Sequence, residues 1–189
     1  MKIRIFLALE LPQTVRNNLF AHAELISGFY KLQHIRWLPK ENYHLTLVFL
    51  GKVEYVLISS LQLKLEQNLS HNKAVPFRFS EITPFPFSGT PKIAAAIPEY
   101  SEELMQLQHN TAKCVRASGL SLDLRRFKPH VTLGRLKSRS RKSMGFQPQQ
   151  IFLEGVSEKV VIFQSELEPK RTYYTSLGEI SLMCPQDKH

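Results

Sequence analysis

The sequence predicts an α+β fold on a mainly antiparallel sheet, and three observations carry that expectation. Segments rich in β-forming residues outnumber those with helical periodicity. Several extended segments follow one another without the dozen or so residues that a parallel crossover needs. The chain has 189 residues, 43% hydrophobic and 22% charged, which suits one globular domain spanning 1–189 with room for a two-lobed core.

The elements follow in order. Lys2 to Leu9 reads as a strand, and a helix starts with Pro12 near its first turn and stops at Gly28. Ile35 to Leu38 and His44 to Leu50 read as extended, with Gly51 ending the second segment. A helix follows with Leu57, Leu61, Leu65 and Leu69 as its buried row. The theme then repeats: extended Phe77 to Ile82, a Pro-rich turn through Gly89, and an apolar strand from Lys92 to Ile97. A helix bearing Leu104, Leu107, Thr111 and Val115 is closed by Gly119. His130 to Leu136 is a strand, and two or three further strands are expected around Ile151, Val160 to Phe163 and Tyr173 to Met183.

Twenty-five Lys and Arg against 16 Asp and Glu give a formal charge of +9, which attracts polyanions but does not by itself identify one. The densest basic stretch, Arg135 to Lys142, alternates with Ser and reads as a mobile loop able to contact phosphates or serve only as a solvated linker. Cys114 and Cys184 stand far apart and outside any metal-ligand spacing, so reduced buried thiols and a cytoplasmic location are expected. The apolar run at the N-terminus is too short for a signal sequence and is interrupted by Glu10, so no membrane association is expected.

One short pattern occurs twice: His44-Leu45-Thr46-Leu47 and, 86 positions later, His130-Val131-Thr132-Leu133. In a strand, alternate side chains share a face, so each His projects beside its Thr while the intervening Leu or Val turns to the core. Two imidazoles on one volume can divide acid and base work, because a neutral ring accepts a proton while a charged one gives it up. Threonine hydroxyls can donate to the non-bridging oxygens of a phosphodiester as charge gathers on them. The expected catalytic set is therefore His44, His130, Thr46 and Thr132, acting without a metal or other cofactor. A zinc site is the rival, but zinc wants three or four ligands and no Asp, Glu or Cys lies at a suitable short spacing from either motif.

These residues carry a resemblance. His44-Leu-Thr-Leu-Val-Phe-Leu-Gly51 and Pro129-His-Val-Thr-Leu-Gly-Arg135 resemble the motifs of the 2H phosphoesterase superfamily, in particular its bacterial RNA 2′,3′-cyclic phosphodiesterase branch, also called 2′-5′ RNA ligase. Supporting segments are Ile5-Phe6-Leu7-Ala8-Leu9-Glu10-Leu11-Pro12, the Arg36-Trp37 pair, Ser165-x-Leu167-x-Pro169 and Tyr174-x-x-Leu177, so the likeness spans nearly the whole chain. It implies a bilobal α+β fold, with two related antiparallel sheets, helices outside and a central cleft. It also implies hydrolysis of RNA 2′,3′-cyclic phosphate ends, or of small cyclic nucleotides, to 2′-phosphomonoesters; separately, a monomer is expected. By the same resemblance His44 is the proton donor, His130 the acceptor, and Phe49 and Arg135 lie near the ligand. Strand parity, however, places Phe49 and Arg135 opposite to their histidines unless the strands end or twist there.

Two other functional readings remain: 2′-5′ RNA ligation as the main direction, and a non-catalytic RNA-binding module using the basic surface. His22, His34, His71, His109 and His189 are assigned no role, and Trp37, Phe85 and Phe87 are expected to pack.

Overall fold

A computed structural model describes residues 1–87, 89–123, 126–137, 145–167 and 172–183. Among these residues nine strands and three α-helices run in the order β1 (Lys2–Glu10), α1 (Gln13–Phe29), β2 (Ile35–Trp37), β3 (His44–Glu54), α2 (Ile58–Leu69), β4 (Val75–Phe85), β5 (Ile93–Pro98), α3 (Glu102–Ala117), β6 (Val131–Leu136), β7 (Gln149–Ser157), β8 (Lys159–Leu167) and β9 (Thr172–Ser181). All nine strands belong to one sheet of order β7-β4-β5-β6-β3-β1-β8-β9, with β2 paired to β6, and every pairing between these strands is antiparallel. The α+β class and antiparallel sheet are as the sequence predicts.

The two expected sheets are the two halves of this one. β3-β1-β8-β9 and β7-β4-β5-β6 are long, well-paired blocks, joined by a single residue pair, Leu45 with Val131. The halves meet again at their far ends. Only Glu158 separates β7, an edge of one half, from β8, inside the other. Ser157, almost fully buried, donates from Oγ to the Glu10 carbonyl at 2.6 Å, tying β7 to the end of β1. Lys73, ahead of β4, bridges Met183, just beyond β9, and the Met183 amide donates to Asn72. A sheet whose outer strands are linked this tightly must curl.

The helices cover the convex face. Val15, Leu19, Ala23 and Ile26 of α1 are buried, and Val15 abuts β7 so closely that a Cβ on Gly155 would lie 3.0 Å from its Cγ2. In α2 the buried row is Ile58, Leu61, Leu65 and Leu69. Leu57, predicted in that row, precedes the helix in a short 3-10 turn and is partly exposed, because the helix starts one residue later and rotates it off the packed face. α3 buries the predicted Leu104, Leu107, Thr111 and Val115, and Ser101 caps it by accepting from the Leu104 amide. Gly51 does not end β3 as predicted: it takes φ 73° within the strand, which runs on to Glu54. Gly119, also at φ 73°, follows the end of α3 as expected.

Candidate active site

The pair joining the two halves is also the centre of the repeated motif. Leu45 and Val131 are opposed in antiparallel register, so one residue to either side His44 falls opposite Thr132 and Thr46 opposite His130. Opposed residues share a face, and Leu45 and Val131 themselves point into the core, at 1% and 0% exposure. The four polar side chains therefore form a rectangle on the concave face, each histidine diagonal to the other. β6 begins at Val131, so His130 stands just before the strand rather than within it, but in continuous register.

Both rings are held alike from behind. Nδ1 of His130 lies 2.8 Å from the Lys128 carbonyl, which only accepts, so Nδ1 carries the hydrogen and Nε2 is left for chemistry. His44 likewise bonds the backbone of Asn42, the residue two positions before it. Their surroundings differ. His44 sits among Phe6, Tyr174 and Phe163, with ring centroids at 4.8, 5.0 and 5.8 Å. Phe85 stacks on His130, with centroids 4.7 Å apart. Burial pushes His44 down to about 4, opposed by the Asn42 bond and assisted by the charges of Arg135 and His130. His130 is also lowered, by burial first and then by Arg135, while its bond to Lys128 opposes the shift.

Phe49 and Arg135 lie on the histidine face, contrary to strand parity, and for the same reason in both halves. Thr46 pairs with Ala8 but Val48 with Leu7, so Leu47 is an extra residue in β3. Thr132 pairs with Ala95 but Gly134 with Ala94, so Leu133 is an extra residue in β6. The leucine closing each motif is thus a β-bulge that shifts the alternation by one. Phe49, half exposed, faces Phe6 with centroids 5.8 Å apart, and the exposed Arg135 is near enough for its charge to act on both histidines. The two residues hold equivalent places, each five after its histidine.

The remaining candidates separate. Trp37 packs over Gly134, where a Cβ would lie 3.1 Å from its ring. Phe85 is buried against His130, whereas Phe87, predicted to pack, is 66% exposed and touches Phe85 edge-on. Of the expected basic loop, Arg135 and Leu136 belong to β6, which carries them into the sheet; Arg139, Arg141 and Lys142 lie outside the described residues, as do Pro169, Cys184 and His189. Cys114 is buried and unpaired. Among the described residues no three His, Cys, Asp or Glu side chains converge as metal ligands, and no helix is long and apolar enough to cross a membrane.

Sequence reasoning missed the aromatic surround of His44. Phe6, Phe163 and Tyr174 come from β1, β8 and β9, and their convergence depends on strand order and register.

A curled antiparallel sheet with two His-x-Thr motifs meeting at its seam defines a 2H phosphoesterase. The chain belongs to the 2′-5′ RNA ligase superfamily, whose family model matches residues 21–147. It is 30% identical over 200 aligned positions to a Thermus thermophilus protein named RNA 2′,3′-cyclic phosphodiesterase, covering 95% of this chain and 90% of that one. A Bacillus subtilis protein of the same name is 27% identical over 132 residues, 69% of each chain. Escherichia coli LigT, in a crystal structure with 3′-AMP, matches in fold with a TM-score of 0.78 at 22% identity, covering 96% of this chain and 99% of that one.

Proposed function

We propose that this protein hydrolyses RNA 2′,3′-cyclic phosphate ends to 2′-phosphomonoesters, with its two histidines as acid and base and with no metal. The observation that carries the reading is the opposition of Leu45 and Val131, which sets two His-x-Thr motifs around one volume. The names of the Thermus and Bacillus relatives supply the substrate class.

In this reading the cyclic phosphate lies over the rectangle. His130 takes a proton from water through Nε2 as the water oxygen bonds to phosphorus. His44 gives its proton to the 3′ oxygen as that P–O bond breaks, leaving a 3′-hydroxyl and a 2′-phosphate. Thr46 and Thr132 donate to the non-bridging oxygens, and Arg135 balances the charge that develops there. Phe49 offers its exposed ring to the base. The phosphate's negative charge offsets the burial of His44 and favours its protonated form, so the acid is loaded when substrate is present.

The test uses an oligonucleotide ending in a 2′,3′-cyclic phosphate, in the presence of EDTA. A 2′-phosphate product, with turnover reduced by about 10²-fold or more in His44→Ala and in His130→Ala while circular dichroism is unchanged, is the expected result. Activity lost to the chelator, a 3′-phosphate product, or full activity in either variant would overturn it.

A further inference from the structure

Arg36 of β2 lies directly opposite Arg135 of β6, and Arg135 in turn lies opposite Ile93 of β5. Directly opposed residues share a face, so both guanidinium groups rise from the concave side, where Arg135 already acts on the two histidines. The alternation around Arg36 agrees: Ile35 is buried in the core, Trp37 packs over Gly134, and Arg36 between them is exposed. Like charges directly across an antiparallel pair are destabilising. Among the described residues no contact relieves this pair. Among the described residues neither arginine has a hydrogen-bond or carboxylate partner, and no acidic residue stands between Asp123 and Glu154 in the sequence. The arrangement is held by the sheet all the same, because Gly134 lets β2 approach β6 closely enough that a Cβ there would meet Ile35 at 2.7 Å.

Two guanidinium groups side by side, one on β6 near the histidines and one directly across from it on β2, make a track for two successive phosphates. We propose that Arg36 binds the 5′-phosphate of the terminal nucleotide whose 2′,3′-cyclic phosphate lies between the histidines, so that the protein favours polynucleotide ends over mononucleosides. This rests on the hydrolytic reading above and adds to it a specificity residue from outside both His-x-Thr motifs.

The experiment compares adenosine 2′,3′-cyclic phosphate with the same compound carrying a 5′-phosphate. The quantity read is the ratio of kcat/KM for the 5′-phosphorylated over the unphosphorylated substrate, in which any change common to both cancels. In the unaltered protein the ratio is expected to be about tenfold or more at low salt, to fall towards one in Arg36→Ala, and to be partly kept in Arg36→Lys. A ratio of one in the unaltered protein, or the same ratio in Arg36→Ala, would overturn the proposal. If the unaltered protein turns over neither compound, the hydrolytic reading fails by itself. The ratio of dissociation constants for adenosine 3′-phosphate and adenosine 3′,5′-bisphosphate then decides on Arg36 by the same criterion.

Discussion

The ring of Tyr174 stands edge-on to that of His44, with centroids 5.0 Å apart and planes at 88°. With Phe6 and Phe163 it packs around the imidazole, and burial is the main reason His44 is held down at about 4. Under the two-histidine mechanism this has a kinetic consequence. The fraction of protonated acid in the free protein falls as pH rises, so kcat/KM is expected to decline from the acidic side of neutrality upward. Tyr174→Leu admits water to His44 and moves its pKa back towards 6.5, carrying the alkaline limb of the profile to higher pH. A profile measured from pH 4 to 8 checks this, and a limb that stays put in the variant contradicts it.

The same depressed pKa makes folding depend on pH. The folded chain holds His44 neutral down to about 4, whereas the unfolded chain protonates it near its ordinary value of about 6.5. Stability from this group is therefore full above about 6.5 and is lost as pH falls towards 4, by at most roughly 3 kcal/mol. Urea titrations at pH 7 and pH 4.5 are expected to show a smaller acid-induced loss in His44→Phe than in the unaltered protein.

Thr46 and Thr132 hold equivalent places across the seam, so their removal is expected to cost similar amounts. Thr46→Val and Thr132→Val keep shape and strand preference while deleting one donor each, and about 10²-fold in kcat is expected from either. Single-turnover kinetics would reveal a lopsided effect, which would mean that only one threonine meets the phosphate.

Gly134→Ala tests the seat of β2. The added methyl would lie 2.7 Å from Ile35 Cγ2 and 3.1 Å from the Trp37 ring, so the Ile35 side chain or β2 itself must shift. A loss of about 1 to 3 kcal/mol is expected in denaturant titration, together with a change in tryptophan fluorescence, since Trp37 is the single tryptophan.

The parts legible in the sequence are those set by local pattern. The two His-x-Thr segments announce the polar face because alternation in a strand is a local rule, and the buried row of α3 follows its helical spacing. The bulges were not read, although a trace of them is present: Leu47-Val48 and Leu133-Gly134 each set two core-facing residues in succession, where strict alternation would have put the second in the cleft. Parity alone turns Phe49 and Arg135 away from the histidines unless the strands twist, and the two bulges supply that twist, bringing both onto the histidine face. The pairing of Arg36 with Arg135 was beyond reach, since nothing within either segment records which strand lies beside it.

Glu158 alone joins an outer strand of one half to an inner strand of the other. Its carbonyl accepts from the Leu182 amide at 2.8 Å, so the junction is tied to the end of β9 as well. That one-residue strap works as a clasp on the back of the molecule: its length fixes how tightly the sheet is rolled, and hence how far apart two side chains sit at a seam held by one pair of residues. Lengthening the clasp by a few glycines would slacken the roll and detune the chemistry without substituting any residue of the cleft.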